Sequence, residues 1–207
     1  MTFKTFFSEQ ARKPSGLFGR LVMSRIFEMG NAALNDFMKE VLSLRVNDHV
    51  LEIGFGTGKL INEMATVVYQ GLIEGIDFSS TMVAIAEKKN RKHIFEGRVK
   101  ISKGDFDETA YDDNRFDKVC SVNTLYFWPN SEHSINKILQ IVKPSGKFVL
   151  GFEDRAQMEK RSLNTNVFRI YTKDEVKNLL IKSGFVTVDI ISKKIHSSIY
   201  HCAVAIK

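Results

Sequence analysis

An α/β fold is what this sequence predicts: a mostly parallel sheet with helices on both faces, finished by an antiparallel hairpin. Three observations predict it. Between His49 and Phe152, short apolar runs alternate with segments of helical periodicity, the pattern of parallel strands buried on both sides. The first run, Val50–Ile53, empties into a turn with Gly54, Gly56 and Gly58, where a strand hands over to a helix without room for side chains. Near the C-terminus, only Lys193–Ser197 separate the runs Phe185–Ser192 and Ser198–Ile206. A parallel crossover needs about a dozen residues, so these two runs must pair antiparallel.

Residues 1–46 read as helical and irregular rather than as sheet. Within them Leu34, Phe37, Met38, Val41 and Leu42 repeat at helical spacing and mark one apolar face. A shorter helix is expected over Leu17–Phe27, after the loop Arg12–Gly16. Strands are then expected at His49–Ile53, Leu72–Ile76, Val99–Ser102, Asp117–Val122 and Lys147–Phe152. Between them, helices are expected over Lys59–Val68, Ser80–Asn90 and Glu132–Val142, with a short element near Glu108. Lys143–Gly146, reading Lys-Pro-Ser-Gly, is a helix stop and tight turn before the fifth strand. Thr172 and Glu175 form a capping box opening a helix that ends at Gly184. The chain divides into an N-terminal helical extension, residues 1–46, which reads equally as a lid over the ligand pocket or as a cover for a sheet face, and a domain over 47–207.

The chain as a whole bounds its partners. Its 207 residues, 43% hydrophobic and 26% charged, suffice for one domain with a substantial core. No apolar run approaches the roughly 18 residues of a membrane span. Residues 1–13 lack the unbroken apolar stretch of a signal peptide. No membrane partner and a reducing, cytoplasmic location are therefore expected. Cys120 and Cys202 sit alone in apolar runs and read as buried thiols, and the five histidines show no ligand spacing with them, so no metal is expected. A net charge of +6 leaves nucleic acid open as a partner without favouring it. The densest basic segment, Lys88 to Lys103, starts in the last turns of an expected helix, where cations suit the dipole.

The glycine turn decides the ligand only in company. A dinucleotide fingerprint spaces its glycines G-x-G-x-x-G, whereas here they run G-x-G-x-G behind Glu52. Downstream, Asp77 ends the second strand, placed to accept both hydrogen bonds of a ribose diol. Asp105 and Phe106 follow the third strand, the fourth runs into the aromatic stretch Leu125–Trp128, and Lys-Pro-Ser-Gly precedes the fifth. In this ordered set, from Val50 onward, the chain resembles the class I S-adenosylmethionine-dependent methyltransferases. The stretch Ala11–Arg20 also resembles small bacterial methyltransferases of unassigned substrate.

The resemblance implies a Rossmann-like seven-stranded sheet ordered 3-2-1-4-5-7-6 with strand 7 antiparallel. It implies S-adenosyl-L-methionine as cofactor and S-adenosyl-L-homocysteine as product, and it implies roles. Gly54, Gly56 and Gly58 let the methionine and ribose parts lie against the turn, while Glu52 helps hold the methionine ammonium. Asp77 takes the ribose hydroxyls, Asp105 the adenine amino group, and Phe78 and Phe106 flank the ring. Asn123 lines the methionine end through its backbone carbonyl.

Methyl transfer of this kind is an in-line displacement, for which a protein supplies alignment and, if the nucleophile must lose a proton, a base. Candidate bases or acceptor contacts are Tyr126, His133, Asp154 and Tyr171, chosen for nearness to the strand ends; His133 reads more readily as a solvated residue at a helix start than as a base. Phe127 and Trp128 are either an apolar wall over the methyl group or core. The fourth-strand sequence Val122–Phe127 lacks the (D/N)-P-P-(Y/F) motif of related enzymes that methylate adenine amino groups or glutamine. Neither a Pro-Cys nucleophile nor a Lys-Asp-Lys-Glu set is evident. A small-molecule acceptor is the expectation. The alternatives are an RNA or protein methyltransferase, and a cofactor-binding protein without catalysis.

Overall fold

A computed structural model of the protein describes residues 3–160 and 169–207, with side chains from residue 5; residues 1 and 2 of the expected extension lie outside the described residues. The chain opens with α1 (Phe3–Arg12), α2 (Gly16–Phe18), a π-helical turn (Gly19–Met23), α3 (Ser24–Gly30) and α4 (Ala32–Leu42). Alternation follows: β1 (His49–Ile53), α5 (Lys59–Met64), β2 (Leu72–Asp77), α6 (Ser80–Phe95), β3 (Val99–Lys103) and β4 (Phe116–Val122). After a short 3-10 turn (Leu125–Phe127) come α7 (Ser131–Ile141), β5 (Val142–Phe152), α8 (Arg155–Glu159), α9 (Lys173–Lys182), β6 (Thr187–Ile195) and β7 (Ser198–Ile206).

The strands form one seven-stranded sheet in the order β3-β2-β1-β4-β5-β7-β6. Neighbours from β3 to β5 pair parallel, and β7 runs antiparallel to both β5 and β6. Fold class, order and the antiparallel strand are as expected. Because side chains alternate across a strand, successive residues feed two cores. Leu51, Val119, Phe148 and Ala203 join one cluster, with Ile135, Ile138 and Leu180 from the helices. Val50, Cys120, Val149 and Cys202 join the other, with Leu34, Met38 and Ile61. Both thiols are buried and free, and burial holds each well above its ordinary pKa, Cys202 at about 12.

The boundaries depart from expectation for identifiable reasons. The ladder between β6 and β7 continues to Ile195–Ser198, so the hairpin loop is only His196 and Ser197, with His196 at φ 54. The basic run after Ser192 continues the edge strand instead of leaving it. The helix expected to Val68 ends at Met64, and the one expected to Asn90 runs on to Phe95, because Arg91–Phe95 hold no breaker and Gly97, at φ 72, follows. A turn stands near Glu108 in place of the short element. Lys-Pro-Ser-Gly is not a turn ahead of the strand but an irregularity within β5. Phe116 pairs with Val142, yet Lys118 pairs with Lys147, so the surplus residues bulge out with Ser145 at φ 63.

The N-terminal extension splits between two tasks. The apolar face of α4 buries Leu34, Phe37, Met38 and Leu42, leaving Val41 half-buried. It lies flat on β5 and β7: a side chain at Gly151 would meet Met38 Sδ at 2.8 Å, and Cys202 Sγ lies 3.5 Å from that sulfur. So α4 covers a sheet face. The residues before it, α1 through α3, reach over the carboxyl ends of the strands instead.

Candidate active site

The carboxyl ends of β1, β2, β4 and β5 open into a cavity of about 720 Å³, roofed by residues of α1, the π-helical turn and α3. Strand order reverses between β1 and β4, the crevice where open α/β sheets bind ligands. The glycine turn after β1 forms its floor. Gly54, Gly56 and Gly58 have φ of 70°, 55° and 68°, a region that side chains avoid. A Cβ at Gly54 would lie 2.5 Å from Thr124 Cγ2 and one at Gly58 2.7 Å from Ala86 Cβ; at Gly56 it would point towards Phe27, 3.8 Å away. The bulky Phe55 between them does not crowd the turn, because it is buried against Gly75.

Two buried carboxyl groups line the cavity beside this turn. Glu52 is 3% exposed, and its Oε2 has no hydrogen-bond partner among the described residues. Burial first, then the charges of Asp77 and Glu63, push its carboxyl well above the ordinary range, against a hydrogen bond from the Ile61 backbone. Asp77 ends β2, its Oδ2 accepting from Gly56 N at 2.9 Å and its Oδ1 from Ser79 N at 2.8 Å. Burial lifts its pKa to about 6, with the two amides pulling the other way. A carboxylate oxygen offers about two acceptor sites. Each oxygen of Asp77 therefore keeps one for a ligand.

Side-chain bonds tie the roof to the floor. Ser79, which caps α6 by accepting from Met82 N, donates through its hydroxyl to the Pro14 carbonyl at 2.6 Å. Gln10 braces the loop by bonding both the hydroxyl and the amide of Ser15 at 2.9 Å. Lys13 Nζ then sits 5.4 Å above the Phe78 ring.

After β3, Asp105 is exposed and accepts from Asp107 N at 3.0 Å. Phe106 lines the cavity, buried beneath Lys137, whose ammonium lies 4.9 Å from the ring. Asp107 also lines the cavity, accepting from Ser134 at 3.0 Å through Oδ2, while its buried Oδ1 has no partner among the described residues. After β4, Asn123 takes φ 55° and donates through Nδ2 to Asn31 Oδ1 at 2.9 Å. Asn31 precedes α4 without capping it; its side chain spans to the end of β4 instead.

Of the four candidate bases only Tyr126 lines the cavity. Its hydroxyl accepts from Glu153 N at 2.7 Å and donates to Glu153 O at 2.9 Å, which makes it a brace between the ends of β4 and β5. The structure does not bring the other three to the cavity. His133 is exposed on the first turn of α7. Asp154 caps α8 by accepting from Gln157 N, and faces the buried His201 at 3.8 Å. Tyr171 is buried, sharing a 2.5 Å hydrogen bond with Ser131. Nearness to a strand end in sequence does not set the direction of a side chain: at Asp154 the chain has already turned into a helix. Phe127 and Trp128 line the cavity and also pack on the core.

Sequence reasoning missed Asn31, Asn35 and Asp107. It also missed Glu153, whose signal was available: like Asp77, it is an acid at the carboxyl end of a parallel strand, directly after Phe152. Among the described residues, no cluster of histidine, cysteine or carboxylates could hold a metal ion.

Comparison with known proteins agrees with this architecture. A family model described as a methyltransferase domain matches residues 44–184. The chain is 26% identical over 187 residues to the uncharacterized methyltransferase YdaC of Bacillus subtilis (strain 168), covering 90% of this chain and 98% of that one. Two further curated methyltransferases are longer, and the chain spans 47% and 56% of their lengths. Among solved structures it is similar to a chain of the complex between the Haloferax volcanii Trm112 methyltransferase activator and a methyltransferase, with TM-score 0.77 and 16% identity over 97% of this chain and 96% of that one. It is also similar to Haemonchus contortus phosphoethanolamine N-methyltransferase 2, solved with phosphomonomethylethanolamine and S-adenosylhomocysteine, with TM-score 0.72 and 15% identity over 89% of this chain and 56% of that one. With two-thirds of its length matched by the family model and the strand order in place, the chain belongs to the class I methyltransferase family.

Proposed function

We propose that the protein transfers a methyl group from S-adenosylmethionine to a small-molecule acceptor. The observation that carries the reading is Glu52. A buried carboxyl oxygen with no partner among the described residues, beside a glycine cradle, costs stability unless a cationic ligand completes it. The cofactor, when bound, supplies a methyl carbon on a positively charged sulfur. Glu52 would hold its ammonium, the free acceptor sites of Asp77 its ribose hydroxyls, and Asp105 with Phe78 and Phe106 its adenine. Tyr126 fixes the loop that carries Asn123, whose carbonyl would line the methionine end.

The acceptor side is walled by Phe7, Phe27, Phe127, Trp128 and Met158, which suits a small, largely apolar molecule. The chain's part in the transfer is alignment and exclusion of water. Incubation with methyl-labelled cofactor and separated pools of metabolites, RNA and protein tests this. Label should enter the low-mass pool; label in RNA or protein would overturn the acceptor class, and binding without transfer would leave a non-catalytic protein.

The pKa of Asp77 gives a pH dependence. Its value of about 6 lies above the ordinary 3.8, so its ionisation opposes folding: its contribution to stability is full below 3.8 and is lost as pH rises through 6. A ligand donating to the ionised carboxylate reverses that balance. Cofactor affinity should rise as pH passes through about 6, with proton release on binding there, and Glu52, raised by burial and by the charge of Asp77, adds to the rise because it too must ionise to hold the ammonium. Calorimetry in buffers of differing ionisation enthalpy measures both; a flat profile would detach Asp77 from the ligand.

The residues before α4 form the proposed lid. Deleting residues 1–16 removes the Pro14 tether and the Lys13 cover but spares the helices that pack on the sheet. The shortened chain should fold and bind cofactor, yet transfer methyl groups several-fold more slowly in the labelled-pool assay. Unchanged transfer would reduce the segment to packing.

A further inference from the structure

The segment that roofs the cavity is apolar on its outer side as well. Along Gly16–Gly30, positions 17, 21, 25 and 29 step by about one helical turn and share one line: Leu17, Leu21, Arg25 and Met29. Leu17 is 75% exposed, Leu21 63% and Met29 80%, with Val22 and Ile26 beside them at 39% and 40%. The opposite side of the same helix supplies Met23 and Phe27 to the cavity, and Ile26 belongs to both, at the edge of the mouth. A surface helix ordinarily turns polar residues to water. A contiguous exposed apolar stripe marks an interaction surface.

The charges identify what covers it. Arg20 and Arg25 are exposed, and the acid of the stretch, Glu28, is paired with Lys89. The face is therefore cationic, in a chain of net charge +6. A second copy of the chain would bring like charges together, since a two-fold interface sets the same patch against itself. Aliphatic side chains interleaved with arginine are instead the composition of a helix that lies in a lipid interface, drawn there by anionic headgroups. We propose that the outer face of Gly16–Gly30 docks on an anionic lipid surface and seats the cavity mouth against it, so that an apolar acceptor dissolved in the bilayer enters beneath the helix. Surface docking needs no span, and among the described residues no helix is long and apolar enough to cross a membrane. The docking stands on the stripe alone; the entry of an acceptor rests on the methyltransferase reading.

The test is co-sedimentation of the full chain with vesicles of phosphatidylcholine alone and of equal parts phosphatidylcholine and phosphatidylglycerol. The parent should bind the anionic vesicles and not the neutral ones. Leu17→Glu with Leu21→Glu should weaken that binding at least about tenfold, and Arg25→Gln about fivefold. Both variants should keep the parental affinity for S-adenosylmethionine, since none of the three residues lines the cavity. Retained cofactor binding would also show that they fold. Parent protein left in the supernatant, or equal sedimentation of the double variant, would overturn the docking. So would a parent dimer that the double variant dissociates, which would assign the stripe to a second copy. Vesicle binding without cofactor binding would keep the docking and sink the methyltransferase reading, and the converse would do the reverse.

Discussion

Asp77→Ala is expected to weaken S-adenosylmethionine binding by at least about tenfold. The ribose hydroxyls would lose two hydrogen bonds to a charged acceptor, each worth roughly 1.5–3 kcal/mol. The structure adds a second route to the same loss, because Asp77 also pins Gly56 N and Ser79 N, and with them the glycine turn and the start of α6. An analogue lacking the ribose hydroxyls separates the two routes. It should bind the parent much more weakly than the cofactor does, but bind Asp77→Ala nearly as well as the cofactor does. Equal affinities of parent and variant for the cofactor in a calorimetric titration would detach Asp77 from the ligand altogether.

Gly58→Ala should be strongly destabilising. At φ 68 an alanine costs roughly 1–3 kcal/mol of backbone strain. Its Cβ would lie 2.7 Å from Ala86 Cβ and 2.8 Å from Asn90 Nδ2, both on the buried side of α6, and such overpacking costs about 1–3 kcal/mol more. A loss of roughly 2–6 kcal/mol is a large share of a typical domain's stability, so the urea midpoint should fall steeply. Adding Ala86→Gly relieves one contact but neither the strain nor the clash with Asn90, and should recover part of the loss. Strictly additive effects of the two substitutions would show that Gly58 and Ala86 do not meet as described.

Strand positions and the place of the cavity were legible because they rest on features that sequence displays directly, whereas the strand order followed only from the family resemblance those features carry. Apolar runs, glycines at the end of the first strand and acids at strand ends are local signals, and Glu52, Asp77 and Phe106 stand where such signals put them. What sequence could not display was side-chain direction beyond the strand ends. Asp154 and Tyr171 belong to turns whose course is set by packing, and both are spent on capping or core contacts. Asn31 and Asn123 meet across 92 positions, a contact that no local pattern announces. The N-terminal extension showed its apolar face at Leu34–Leu42, but not the division of labour between α4 on the sheet and the preceding helices over the cavity. The outer stripe from Leu17 to Met29 was equally unreadable, since an apolar residue on a helix reads as core until the structure shows water beside it.

The measurement that most directly tests the central claim is a calorimetric titration of the parent chain with S-adenosylmethionine and, separately, with NAD. Saturable binding of one S-adenosylmethionine per chain, with no detectable binding of NAD, is the predicted result. No binding of S-adenosylmethionine, or a preference for NAD, would contradict the assignment of the cavity.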